Sequence, residues 1–173
     1  MMELIVNVSE NWGIGMGDRL LVSIRADLLR FRELTMGGTV ILGRKTLQTF
    51  PGGRPLKGRR NIILSTSADY QVENAEVAHN LEELLSLLRP EENTFVIGGE
   101  SIYRLLLPYC ERARVTKSYV NLPADRFFPK LDEMPNWKVE NTEELLEENG
   151  VSFQYIDYVN SNLLPLPAAQ LNA

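Results

Sequence analysis

Phe95-Val96-Ile97-Gly98-Gly99-Glu100-Ser101-Ile102-Tyr103 and Val40-Ile41-Leu42-Gly43-Arg44-Lys45-Thr46 are built alike: branched apolar residues, an abrupt glycine, then a helix start. Apolar runs that do not alternate read as strands buried on both faces. Glycine removes the Cβ where the backbone must turn sharply. Working outward, Leu4–Val8, Asn61–Leu64 and Ala113–Val120 read as further strands. Helical patterns lie between them. Ile24–Leu34 sets Leu28, Phe31 and Leu34 on one stripe, and Leu81, Leu84, Leu85 and Leu88 form another behind Asn80 as N-cap. Ile102–Leu107 is a third, stopped by Pro108. Strands alternating with helices predict an α/β fold with a mainly parallel sheet covered on both faces. Trp137–Glu140 and Val151–Val159 read as an antiparallel pair at the sheet edge, joined around the acidic Asn141–Gly150 segment. Residues 1–160 are read as a single domain and 161–173 as a loosely ordered tail.

Composition narrows the function classes. The 173 residues are 44% hydrophobic and 24% charged, ordinary for a soluble domain able to bury a core. No apolar run is long enough to cross a bilayer, and no leader is recognisable at Met1, so a cytoplasmic protein is expected. Cys110 is the only cysteine, consistent with a reducing compartment. A net charge of −5 argues against a nucleic-acid binder. Yet Arg44, Lys45, Arg54, Lys57, Arg59 and Arg60 crowd one stretch. This reads either as a solvated face or as the seat of a small polyanion.

Four segments can carry chemistry. Asn11-Trp12-Gly13-Ile14-Gly15-Met16-Gly17-Asp18 follows the first strand and reads as a mobile glycine-rich loop that lets backbone approach a ligand. Asp27 falls in the first turn of a helix beside apolar Leu28 and Phe31. It is either a helix-start acid facing water or a carboxylate at the mouth of an apolar pocket, gripping an amidine-like group through paired hydrogen bonds. Gly43-Arg44-Lys45-Thr46 offers amides, two cations and a hydroxyl to a phosphate, and Ser65-Thr66-Ser67 could add hydroxyls. The Gly98-Gly99 turn leaves outward amides for a pyrophosphate. Together the Gly43 and Gly98 turns imply a dinucleotide lying across two adjacent strand ends.

In order and spacing these segments resemble the bacterial dihydrofolate reductases. The similarity runs from Leu4 to about Tyr158 and is carried by Trp12-Gly13-Ile14-Gly15, Ala26-Asp27-Leu28 with Phe31, Gly43-Arg44-Lys45-Thr46, Arg54-Pro55-Leu56 leading to Arg59, Asn61-Ile62-Ile63-Leu64-Ser65, Ile97-Gly98-Gly99 with Tyr103, and Phe128-Pro129. The resemblance implies a mixed, mostly parallel eight-stranded sheet flanked by four helices. It implies reduction of 7,8-dihydrofolate by NADPH, with hydride transfer to C6 and protonation at N5. Asp27 would hold the 2-amino group and N3 of the pterin, helped by Thr116. Ile5, Val6, Leu28, Phe31, Phe50 and Leu56 would line the substrate slot, and Arg59 would pair with the glutamate-tail carboxylate. For the cofactor it implies Asn7, Ile14, Gly15, Leu20 and Tyr103 around the nicotinamide, and Gly43, Arg44, Lys45, Thr46, Leu64, Ser65, Thr66 and His79 toward the phosphates and adenine. Ile97, Gly98, Gly99, Glu100, Ser101 and Ile102 would flank the pyrophosphate, with Gly98 and Gly99 joined by a cis peptide. Antifolates such as methotrexate or trimethoprim are implied ligands, no metal is needed, and a monomer is expected.

The sequence departs from the family pattern in places. Val22 stands where the family usually has tryptophan, Arg25 where it has proline, and Glu100-Ser101 where a cation normally follows the double glycine. Asp125 could link to the Ile14–Leu20 loop. A pyrimidine or ribosylamino-uracil reductase of the same fold and a non-catalytic pterin-binding protein are the competing readings.

Overall fold

The computed structural model describes residues 1–166. Among them twelve strands and four α-helices follow in the order β1 Met2–Val8, β2 Gly13–Met16, β3 Arg19–Leu20, α1 Arg25–Thr35, β4 Thr39–Gly43, α2 Arg44–Gln48, β5 Arg60–Leu64, β6 Glu76–Ala78, α3 Leu81–Leu87, β7 Thr94–Gly98, α4 Glu100–Leu106, β8 Arg112–Ser118, β9 Arg126–Phe127, β10 Trp137–Thr142, β11 Leu146–Glu148 and β12 Val151–Asn160.

The main sheet runs β10-β12-β8-β1-β7-β4-β5-β6, eight strands as the resemblance implies, with β11 added as a ninth against β12. From β8 to β6 every pairing is parallel, while β12, β10 and β11 pair antiparallel at one edge. The central strands β4, β5 and β7 are the predicted apolar runs. Val40, Ile41, Leu42, Ile62, Ile63 and Val96 are fully buried, because helices or loops cover both sheet faces. Two core clusters result, a large one built on Leu4, Ile62, Val96, Leu106 and Val115, and a smaller one on Val40, Leu42, Leu47, Ile63 and Phe95.

The glycine-rich segment is not the open loop read from the sequence. It folds into the β2–β3 hairpin, which pairs with β9 in a separate three-stranded sheet. Pairing came from residues over a hundred positions away, which no local pattern announces. Trp12 anchors its base, buried against Phe128 and Tyr158 with the Lys117 ammonium 4.2 Å from its ring. The Asp125 carboxylate accepts from the Gly17 amide at 3.1 Å, and the Asp125 amide donates to the Gly15 carbonyl at 3.0 Å.

The stretch read as a loose tail is described only as far as residue 166. In that part the Ser161 amide donates to the Asn136 carbonyl at 2.8 Å and the Leu164 amide to the Pro108 carbonyl at 3.0 Å. The rest of it lies outside the described residues. No helix among the described residues is long and apolar enough to cross a membrane.

Two helix starts are closed differently. The Asn80 side chain caps α3 by accepting from the Glu83 amide at 2.8 Å, as the sequence predicts. Helix α1 has no capping side chain of its own. Its cap comes from β11: the Glu148 carboxylate accepts from the Arg25 amide at 2.6 Å and the Ala26 amide at 3.1 Å. A carboxylate there satisfies two orphan donors and complements the positive end of the helix. Because Asp27 is the next residue, Glu148 fixes where that carboxylate sits. Glu148→Ala is expected to lower unfolding free energy by about 1 kcal/mol, with Glu148→Gln in between, as read by urea denaturation. An unchanged midpoint in both variants would show that the cap contributes nothing.

Candidate active site

Strands β1 and β7 pair over only Met2, Glu3 and Leu4 against Thr94, Phe95 and Val96. Both run on, β1 to Val8 and β7 to Gly98, so their carboxyl-terminal halves part and open a cleft. This is the topological switch of the sheet, since the chain leaves β7 for β8 on the other side of β1. The Ile5 carbonyl, freed by the parting, accepts from the Tyr103 hydroxyl at 2.6 Å. Burial raises the Tyr103 phenol well above its ordinary range, helped by the nearby Asp27 charge, so it stays a donor.

Asp27 enters this cleft from the first turn of α1. Its two oxygens are separately held: Thr116 Oγ1 donates to Oδ1 at 2.5 Å and Asn7 Nδ2 to Oδ2 at 3.0 Å. Ser118 Oγ in turn donates to Asn7 Oδ1 at 2.7 Å, which fixes the amide's orientation. Burial is the largest influence on Asp27 and raises its pKa above the usual aspartate value, while Thr116, Asn7 and the Arg30 charge pull it back. The Arg30 guanidinium lies 3.9 Å from the Tyr155 ring centre and 3.8 Å from an Asp157 oxygen.

Of the predicted substrate residues, Ile5, Val6, Asp27, Leu28, Phe31 and Phe50 line the cleft. Leu28 and Phe31 of the α1 stripe thus face the cleft and not the core. Leu28 is 52% exposed, and Thr35 is the one buried residue of the helix, so the cleft side of α1 is left partly uncovered. Thr116 stands behind Asp27 and touches the site only through it. Leu56 is outside the lining: it packs on the smaller core, its amide held by Asn61 Oδ1 at 2.9 Å. Arg59 is likewise outside the lining, bonded to the Lys57 carbonyl at 2.9 Å and to Thr35 Oγ1 at 3.2 Å. It has no carboxylate partner among the described residues, and burial with the neighbouring Arg32 charge lowers its pKa.

The predicted cofactor residues divide between two grooves. Ile14, Gly15, Leu20, Asn7, Ile97, Gly98 and Tyr103 line the Asp27 cleft. Gly43, Arg44, Lys45, Leu64, Ser65, Thr66, His79, Ser101 and Ile102 line a second groove along the ends of β4 and β5. The grooves meet at Thr46, Gly99, Glu100 and Arg126, which belong to both. Gly98 and Gly99 are joined by a cis peptide, and Gly98 has φ +126°, a backbone region closed to residues with a side chain. A Cβ on Gly99 would stand 3.1 Å from Thr46 Oγ1, closing the junction.

One sequence reading needs correction, and one role was missed. Arg60 is no part of an anion site, being paired with Glu76 and, at 3.0 Å, with Glu92. Asn7 contributes its side chain to Asp27, a role the resemblance did not imply. The available signal was a lone amide inside the apolar run Ile5-Val6-Asn7-Val8. Val22 lines the cleft at the position where the family usually has tryptophan; Asp18, Arg19, Ser23, Ile24, Thr49 and Arg126 line it too and were not named from sequence as site residues.

Comparison with known proteins identifies the family. The family model described as dihydrofolate reductase matches residues 1–160. A dihydrofolate reductase of Mycobacterium tuberculosis is 40% identical over 152 residues, covering 86% of this chain and 91% of that protein. One from Neisseria meningitidis is 37% identical over 157 residues, covering 90% and 96%. The solved dihydrofolate reductase of Enterococcus faecalis, complexed with NADP(H) and RAB-propyl, superposes with a TM-score of 0.84 at 29% identity, covering 92% of this chain and 96% of that one. A family match over nearly the whole chain, on a fold that holds Asp27 in a cleft between parted strands, establishes that this chain belongs to the dihydrofolate reductase family.

Proposed function

We propose that the chain reduces 7,8-dihydrofolate to 5,6,7,8-tetrahydrofolate, with NADPH as cofactor and Asp27 as the catalytic carboxylate. The observation that carries this reading is the half-buried Asp27, oriented by Asn7 and Thr116, at the mouth of an apolar cleft that α1 leaves uncovered. The N3–H and 2-amino group of a pterin form a paired donor edge that matches a carboxylate. The same feature, with the family match, favours dihydrofolate over the pyrimidine-type substrates of other reductases.

The residues fit the cofactor. The junction is kept open by the missing Cβ of Gly99, and the second groove, beyond that junction, offers Arg44 and Lys45 with the hydroxyls of Ser65 and Thr66. These four would take the phosphate at the adenosine end. The Arg44 guanidinium is 4.4 Å from the Tyr70 ring centre, and that stacking holds it in place. His79 Nδ1 donates to the Ser65 carbonyl at 2.9 Å, leaving its other nitrogen for the groove. When bound, NADPH supplies the hydride delivered to C6 of the substrate.

What the chain supplies is position and electrostatics. Asp27 fixes the pterin edge, while Ile5, Val6, Leu28, Phe31 and Phe50 hold the ring by its apolar surface and exclude water. Its negative charge favours protonation of the ring at N5, water being the donor. The Val22 side chain presents no hydrogen-bond donor to the cleft and so takes no part in the proton transfer. Arg59, a cation without a carboxylate partner, would take the substrate's tail carboxylate. In this reading the chain acts as a monomer and as a single domain over residues 1–160. One buried cysteine supports a cytoplasmic setting. An uncovered apolar cleft ending in a carboxylate also suits diaminopyrimidine and pteridine antifolates such as trimethoprim and methotrexate.

Steady-state oxidation of NADPH with dihydrofolate tests the proposal. Asp27→Asn should cost at least about a hundredfold in kcat/KM. Full turnover in that variant would remove Asp27 from its role, and tight methotrexate binding without turnover in the wild type would mark a binding protein. The same substitution should raise the melting temperature at pH 7. A raised Asp27 pKa means the ionised form is disfavoured in the folded state, and this penalty is present above the folded pKa. It fades as pH falls toward the unfolded value, so the gain should shrink on acidification.

Asn7→Ala removes a donor that favours ionised Asp27, so its pKa should rise further. Substrate binding needs the carboxylate, and the acid limb of the kcat/KM profile should therefore move to higher pH. An unmoved limb would show that Asn7 does not tune Asp27. Arg59→Leu should weaken folate binding by roughly 2 kcal/mol in a direct titration, and an unchanged dissociation constant would take Arg59 out of the site.

A further inference from the structure

Among the described residues four are shared by the two grooves: Thr46, Gly99, Glu100 and Arg126. On the reading above, the nicotinamide half of the cofactor occupies the Asp27 cleft and the adenosine half the Arg44–Ser65 groove. A dinucleotide joins its halves through a pyrophosphate, so that group must cross this boundary with its two negative charges. Thr46 is neutral there, Gly99 has no side chain, and Glu100 is an acid. Arg126 is the sole cation of the four.

The partners of Glu100 and Arg126 differ. One Glu100 oxygen accepts from the Phe127 amide, and the other stands 3.6 Å from Arg104 Nε. Glu100 is thus committed to holding β9 against the start of α4. Arg126 makes no side-chain hydrogen bond and no ion pair among the described residues, although it is only partly exposed. Its stem lies across the hairpin at Gly15, where an added Cβ would meet Arg126 Cδ at 3.6 Å and Cβ at 3.7 Å. The β2–β9 register sets Gly15 opposite Arg126. The stem is packed and paired while the guanidinium is left without a counter-ion.

We infer that Arg126 is the counter-charge for the cofactor pyrophosphate at the junction of the two grooves, supplied from β9 and not from the helix that follows the double glycine. A bidentate guanidinium matches phosphoryl oxygens and offsets the repulsion from Glu100. Because Arg126 is paired to β2, the same contact ties the β2–β3 hairpin to bound cofactor, so that the strand carrying Ile14 and Gly15 is held over the nicotinamide end. Arg126 therefore sets affinity for the part of the cofactor that NADPH and NADH share.

The test is calorimetric titration of wild type, Arg126→Gln and Arg126→Lys with NADPH, with NADH and with methotrexate, at low and high salt. Both nicotinamide cofactors should bind Arg126→Gln about 10- to 100-fold more weakly, by the same factor, with a shallower salt dependence. Lysine should restore part of the loss, and methotrexate affinity of the cofactor-free protein should stay within about twofold. Unchanged NADPH affinity in Arg126→Gln would overturn the inference. A loss confined to NADPH would move Arg126 to the 2′-phosphate and overturn it also. Equal losses for methotrexate, with a lowered melting temperature, would mark a structural role instead. If wild type bound methotrexate but neither cofactor, the assignment of the grooves to a dinucleotide would itself fall.

Discussion

Everything chemical in this protein follows from the early parting of β1 and β7. Parallel neighbours normally satisfy each other's amides and carbonyls along their length, so a split leaves backbone groups that need other partners. Tyr103 meets that need at Ile5, and its hydroxyl cannot be replaced by an apolar group without orphaning a carbonyl. The space that opens is floored by Ile5, Val6 and Asn7, walled by Ile97 and Gly98, and roofed by α1 and the β2–β3 hairpin. A cleft at this place is a consequence of strand order, since β7 is inserted between β1 and β4 while the chain continues to β8.

Into that cleft the fold delivers one carboxylate under opposing influences. Burial disfavours its charge, whereas two donors and a cation one helical turn away favour it. The balance leaves an acid with raised pKa that is still pre-oriented on both oxygens, suited to gripping a heterocycle and biasing a protonation. Its precision is borrowed from remote parts of the chain. Asn7 is aimed by Ser118, Thr116 comes from β8, and the helix start is closed by Glu148 from β11. Here Arg25 has an amide to donate where proline would have none, and Glu148 takes it up.

Charge is sorted in the same way. The basic stretch between Arg44 and Arg60 looks uniform in sequence, yet its members do different things. Arg44 stacks on Tyr70 beside the second groove, Arg59 is held by a carbonyl and a hydroxyl, and Arg60 is locked between Glu76 and Glu92. Only the last is a purely structural ion pair. Proximity in sequence could not separate them, because their side chains leave the chain in different directions and meet different elements.

Local rules made much of the architecture legible. Unbroken apolar runs ending at Gly43 and Gly98, the 3.6-residue stripes and the Asn80 cap act over a few residues, so order, class and the buried strands could be read directly. The same pattern placed Asp27 beside an apolar stripe and brought the family into view. What the sequence alone did not decide was contact across distance: the pairing of the glycine-rich hairpin with β9, the Glu148 cap, the Asn7–Asp27 bond and the arrival of Arg126 at the junction. Each joins residues far apart in the chain. The energy of such a contact depends on where the sheet's twist and strand order bring backbones together, and that is a property of the folded chain.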